Sequence, residues 1–140
     1  MNGSPSRPRH VPHALGAQGE DAAAQFLRQA GLLLLARNWR QGRLELDIVC
    51  RERDTIVFVE VKTRRRNTYG GPAAALTRAK QNALCRAACA WLTAHGHWGC
   101  PCRFDVICAL RQGEGYNLEH FRHAFDCTLF VGRGYAAWQP

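Results

Sequence analysis

The sequence predicts a single α/β domain whose sheet is covered on both faces. Three observations carry that reading: two segments with apolar residues at helical spacing, five shorter strand-like runs around them, and one run that is apolar on both of its faces. A chain of 140 residues with 46% hydrophobic and 21% charged residues has the composition of one globular domain with an ordinary core.

Residues 1–12 are rich in Pro, Ser and Arg and read as a flexible basic N-terminal arm ahead of a single domain over 13–140. A helix is predicted over Ala14–Ala30. There Ala23, Phe26, Leu27 and Ala30 form an apolar stripe, Glu20 lies at its edge and Gly31 is placed to end it. Leu32–Trp39, Arg43–Glu52 and Thr55–Thr63 then read as strands. After a Gly-Gly-Pro break at Gly70–Pro72, a long helix is predicted over Ala74–Ala94, burying Leu76, Leu84, Ala87, Ala88, Trp91 and Leu92. Cys102–Leu110 reads as a fourth strand and Tyr116–Phe121 as a fifth.

No run approaches the roughly 18 to 20 apolar residues of a membrane span; the longest, Leu32–Ala36, is bounded by Gly31 and Arg37. The N-terminal residues hold no apolar signal core, so a cytoplasmic protein without a membrane partner is expected. The formal net charge is +8, from 19 basic and 11 acidic residues, and a polyanion is the natural partner for such a surface. All but two of the basic residues are arginine. The exceptions, Lys62 and Lys80, mark positions where a compact ammonium is wanted instead of a planar fork.

Seven cysteines, at 50, 85, 89, 100, 102, 108 and 127, form an odd set in a chain without a secretory signal, which favours reduced thiols over disulfides. Cys85, Cys89, Cys100 and Cys102 with His95 and His97 would be the zinc candidates. Their C-x3-C and C-x-C spacings are not the strong C-x2-C pairing, so zinc is not expected.

The chemistry concentrates in strands two and three. Side chains alternate faces with a period of two, so Glu45 and Asp47 share one face of the second strand. On the third, Ile56, Phe58, Glu60 and Lys62 share one face and Val57, Val59 and Val61 the other. A tight turn at Arg53 and Asp54 would set Asp47 opposite Glu60 and Glu45 opposite Lys62. Directly opposed residues stand about 4.5 to 5.5 Å apart at Cβ, and like charges so placed destabilise a sheet. Converging carboxylates of this kind are also how proteins hold Mg²⁺, which keeps several of its waters.

An acid at the end of one strand followed by E-x-K on the next resembles the core of the PD-(D/E)xK, or restriction-endonuclease-like, nucleases; here it comprises Asp47, Glu60 and Lys62. GAQGEDAAAQFL, ARNWR, LELDIV, FVEVKTR, YGG, the helix bearing Lys80 and Gln81, and RFDV occur in an order that resembles the bacterial YraN family over about residues 13–125. One departure is Leu44, where that family usually shows glycine in Gly-Glu-x-Asp-Leu-Ile. The resemblance implies a restriction-endonuclease-like three-layer αβα core with a mixed central sheet, similar to that of archaeal Holliday-junction resolvases. It also implies that the acid of the first helix, Glu20, joins the site.

On that reading Asp47 and Glu60, with Glu20 through water, hold Mg²⁺, with Mn²⁺ as an alternative, and Lys62 orients or deprotonates the attacking water or offsets transition-state charge. Glu45, Lys80 and Gln81 support the site, and Arg64, Arg65 and Arg66 neutralise backbone phosphates without reading sequence. The expected activity is metal-dependent hydrolysis of DNA phosphodiester bonds, in branched or damaged structures, with DNA favoured over RNA; a two-fold dimer would suit symmetric branched DNA. The alternative is a non-catalytic nucleic-acid-binding or scaffold protein that keeps the nuclease fold.

Each residue also has a plainer reading. Glu60 and Lys62 make a same-face ion pair, Glu20 is a first-turn acid suited to a helix N-terminus, and Lys80, Gln81 and Arg64 to Arg66 are solvated surface. Asp105 is read as structural, paired with Arg103 or a neighbour, and the histidines as surface or satisfied groups.

Overall fold

The computed structural model describes residues 9–12, 19–64 and 76–127. Two helices sandwich a six-stranded mixed sheet. The elements are β1 (Arg9–Pro12), α1 (Gly19–Gln29), β2 (Leu33–Gln41), β3 (Leu44–Glu52), β4 (Thr55–Arg64), α2 (Arg78–His95), β5 (Cys102–Gln112) and β6 (Gly115–Phe125). Across the sheet the order is β1-β6-β5-β4-β3-β2, and β4 with β5 is the parallel pair, made possible by the α2 crossover between them.

The strand expected to be apolar on both faces is β4. Ile56 and Phe58 pack with Leu84, Cys85, Ala87, Ala88, Trp91 and Leu92 of α2. Val57 and Val59 pack with Ala23, Ala24 and Leu27 of α1. The helices therefore lie on opposite faces, giving three layers, αβα, as expected. Phe58 stacks on Phe104 of β5 and meets Trp91 edge-on, with ring centroids 5.4 and 6.0 Å apart.

Local chemistry sets the element ends. Thr77 caps α2, its Oγ1 accepting from the Lys80 amide at 3.1 Å, and Gly96, in the left-handed region at φ 70°, returns its N–H to Leu92 to close the helix. Residues 74 and 75 of the expected helix, and the Gly70–Pro72 break, lie outside the described residues. Arg53 and Asp54 form the two-residue turn between β3 and β4, with Glu52 opposite Thr55 and Arg53 at φ 55°.

Two findings differ from the sequence reading. Arg9–Pro12, assigned to the basic arm, forms an edge strand on β6, in register from Arg9 opposite Leu118 to Pro12 opposite Gly115. A sheet edge offers backbone partners to whatever chain passes it, and that offer leaves no mark in the composition of a short segment. Cys85 and Cys127, expected to be reduced, are joined as a disulfide with Cα atoms 5.8 Å apart. Both lie in the core under α2, brought together across 42 residues by the fold. The other five cysteines are free; burial pushes the Cys50 thiol up to about 12, and that of Cys102 likewise, so both act as small apolar side chains.

A buried polar network anchors the sheet away from its α2-facing core. Asp105, 1% exposed, accepts from Arg103 Nε at 2.9 Å and Nη2 at 3.2 Å, from the His123 amide at 2.9 Å, and pairs with His120 Nε2 at 2.8 Å. Burial pushes its carboxyl up, but these hydrogen bonds outweigh it and hold Asp105 below the usual range. His123 stands at φ 53°, where the β5–β6 register shifts between Phe104 and Val106, so the carboxylate fixes an irregular strand, and its pairing with Arg103 is the one expected.

Leu27, with no exposed surface, ties α1 to the sheet. Leu27→Ala is expected to lose about 2–5 kcal/mol in urea unfolding, whereas Leu33→Ala, at a side chain 57% exposed, should stay within about 0.5 kcal/mol. Equal losses at the two positions would contradict this packing.

Candidate active site

The β3–β4 ladder runs from Glu52–Thr55 to Ile48–Val59 and stops there. One step beyond, Asp47 and Glu60 would stand opposite each other. Asp47 instead turns its carboxylate onto β4, Oδ2 accepting from the Val61 amide at 2.9 Å. A side chain thus takes the place of the missing backbone partner.

On the other edge of β3 the ladder to β2 skips one pair at the same residue and then continues to Gln41 opposite Leu44. Asn38 and Asp47 lie between the Arg37–Ile48 and Trp39–Leu46 pairs, and Asn38 is at φ 51°. Leu46 packs into the α2-side core while Ile48, two residues on, packs into the α1-side core, so the alternation of faces fails at Asp47. The strand leaves β4 with Asp47 at the fork.

Glu60 lies on the α2-facing side of β4, 8% exposed, beside Asp47. Its Oε2 is 3.6 Å from Lys62 Nζ and 3.6 Å from Lys80 Nζ. Burial and then the Asp47 charge push the Glu60 carboxyl up to about 7, against the opposing pull of Lys80 and Lys62. Lys62 comes from the same strand, Lys80 from the first turn of α2.

Glu20 reaches the site from α1. Burial and the Asp47 charge raise its carboxyl, while hydrogen bonds from Asn38 and Arg37 oppose the rise. Arg37 Nη2 lies 3.6 Å from Glu20 and 2.6 Å from Asp21, so one guanidinium serves two acids of α1. Gly19 explains how α1 comes so close. A Cβ there would stand 2.5 Å from Thr63 Oγ1 and 3.3 Å from Ala109 Cβ.

The supporting residues divide. Lys80 joins Glu60. Gln81 does not point there; its Nε2 donates to Leu76 O at 3.1 Å and steadies the chain entering α2. Glu45 does not face Lys62, because β3 has already left β4; it pairs with Arg40 of β2, 4.0 Å away and exposed. Arg64 ends β4, with Nη1 donating to Thr63 O at 3.2 Å, and Arg65 and Arg66 lie outside the described residues, as does the YGG segment. Arg37, Asn38 and Gly19 were given no role from the sequence, although they fall inside the ARNWR and GAQGED segments.

Among the described residues, no three His, Cys, Asp or Glu side chains are grouped as a ready metal-ligand set. Mg²⁺ is commonly held by only one or two carboxylates with water completing its shell. Asp47 and Glu60, two adjacent acids of which Glu60 is pushed towards neutrality by burial and then by the Asp47 charge, fit that need, and Glu20 lies near enough to feel the Asp47 charge.

A model of the uncharacterised protein family UPF0102 matches residues 19–109, a span that holds every residue of this site. The chain belongs to the UPF0102 family. UPF0102 proteins similar to it include one from Nitratidesulfovibrio vulgaris, 51% identical over 128 residues, covering 91% of this chain and 96% of that protein. Another, from Lawsonia intracellularis, is 40% identical over 126 residues, covering 90% of this chain and 96% of its own length. A third, from Rhodococcus jostii, is 48% identical over 115 residues, 80% and 96% of the two chains. This UPF0102 chain has no described helix long and apolar enough to cross a membrane.

The raised Glu60 carboxyl has a definite consequence for stability. Unfolded, Glu60 ionises near 4.5; folded, it ionises near 7. Between those values the unfolded state releases its proton first, so the Glu60 contribution to stability falls as pH rises through that window and is fully lost above it. In EDTA, Glu60→Gln is therefore expected to gain thermal stability relative to wild type between pH 5 and pH 8. A difference that does not change with pH would show that Glu60 is not perturbed.

Proposed function

We propose that the chain is a metal-dependent endonuclease that hydrolyses phosphodiester bonds of DNA. The observation that carries this reading is the fork at Asp47: two carboxylates meet where a sheet would normally exclude them, and two ammonium groups converge on one of them. A purely structural sheet would place an apolar pair there at lower cost.

Asp47 and Glu60 are the residues that would hold Mg²⁺ or Mn²⁺, with Glu20 behind Asp47. Bound there, the ion would supply Lewis-acid polarisation and a more acidic water. Asp47 is kept in place by the Val61 amide, which fixes its free oxygen relative to Glu60. Lys62, half-buried on β4, offers a donor to an attacking water or to an equatorial phosphate oxygen as charge grows. Arg64, two residues on, neutralises a neighbouring phosphate. The net charge of +8 supports a polyanionic substrate, and the resemblance to junction resolvases favours branched DNA over RNA.

Cleavage of labelled linear, flapped and four-way-junction DNA, with RNA alongside, is the test. Wild type is expected to cut in Mg²⁺ or Mn²⁺ and not in EDTA. Asp47→Asn and Lys62→Ala should each lose at least about 10²-fold in rate. Binding without cutting, or variants that cut as fast as wild type, would replace this proposal with a non-catalytic nucleic-acid-binding role.

A further inference from the structure

Lys80 sits in a place that a helix disfavours. Thr77 is the N-cap of α2 and Lys80 is the third helical residue, bonded through its amide to Thr77 Oγ1. After an N-cap Ser or Thr, that position commonly holds Glu or Gln, whose side chain reaches back to the cap. The first turn of α2 has no acid at all, and it carries Arg78 as well as Lys80 at the positive end of the helix. A cation kept there against local preference points to a role outside the helix.

Its partner is Glu60 Oε2, 3.6 Å from Nζ, the same oxygen that Lys62 approaches at the same distance. The two cations are not equivalent. Lys62 is carried on β4 next to Val61, whose amide Asp47 holds, and its side chain is less exposed than that of Lys80, which is 36% exposed at the mouth of the site. Asp47 and Glu60 are balanced in charge by Lys62 and Lys80. A divalent cation between the acids takes up both of their charges and leaves the two ammonium groups in excess, and Lys80, the more exposed of them, is the one free to turn away.

We propose that Lys80 is a resident counter-ion of Glu60 which a divalent cation displaces, freeing its ammonium for a phosphate of the substrate. The inference rests on the metal-dependent reading of the site. Lys80 thereby links metal loading to phosphate binding: the ion enters in exchange for an ammonium that then faces the substrate's negative charge.

The test is Mn²⁺ binding by the full chain at pH 8, measured by calorimetry for wild type, Lys80→Met and Arg78→Met, with thermal unfolding confirming that each variant is folded. Arg78 is exposed on the same turn and has no ion pair among the described residues, so it reports the diffuse field of the helix end. Lys80→Met should bind Mn²⁺ about tenfold more tightly, within the usual span of coupling between two sites, and Arg78→Met should stay within about twofold. Because the chain has only two lysines, ¹³C reductive methylation gives a second readout. Adding Mg²⁺ should shift and sharpen the Lys80 signal more than that of Lys62. Unchanged or weaker binding in Lys80→Met, equal tightening in Arg78→Met, or a static Lys80 signal overturns the displacement. A wild type that binds no Mn²⁺ overturns the metal-dependent reading itself.

Discussion

The hydrogen bond from the Val61 amide to Asp47 is the point on which the site turns. A ladder between β3 and β4 that continued past Ile48 and Val59 would have closed the strands over the acids. Because the carboxylate of Asp47 takes the backbone donor instead, β3 parts from β4 beyond that pair while staying bonded to β2, and Glu60 lies beside this wedge. Around that wedge the three layers each supply one part: Glu20 from α1, Asp47, Glu60 and Lys62 from the sheet, and Lys80 from α2.

The two buried acids of the sheet stand in contrast. Asp105 is surrounded by donors from Arg103, His120 and His123 and is held below the usual carboxylate range. Glu60 is nearly as buried, has its cations at 3.6 Å, and is pushed up by burial and Asp47. A carboxylate placed only for stability is expected to look like Asp105, with its lone pairs satisfied. Glu60 instead stands beside a like charge with its two cations at a longer distance, the kind of perturbed environment that the proposed activity calls for. Arg103 also binds Glu52, which Arg122 holds as well, so the network around Asp105 is closed on itself.

Much of this was legible in the sequence because strands obey a strict period. The alternation in Ile56–Lys62 placed Glu60 and Lys62 on one face, and the two-residue turn at Arg53 and Asp54 set the register that brings Asp47 to Glu60. The same period misled for Glu45, because the alternation fails at Asp47 itself and Glu45, beyond the fork on β3, pairs with Arg40 of β2. Gln81 was misread for a different reason: its neighbour Lys80 reaches the site, and helical spacing cannot tell a side chain that reaches forward from one that returns to Leu76. Arg37, Asn38 and Gly19 act through contacts between α1, β2 and β4 that no local pattern encodes. The edge pairing of Arg9–Pro12 and the Cys85–Cys127 link are likewise products of the assembled fold.

The proposed activity requires a divalent cation between Asp47 and Glu60. The most direct measurement is the anomalous scattering of Mn²⁺ in a crystal of the full chain grown with that ion above pH 7. The expected result is a peak within bonding distance of one oxygen of each carboxylate. Crystals that show no peak there, with Glu60 still held between Lys62 and Lys80, would contradict it.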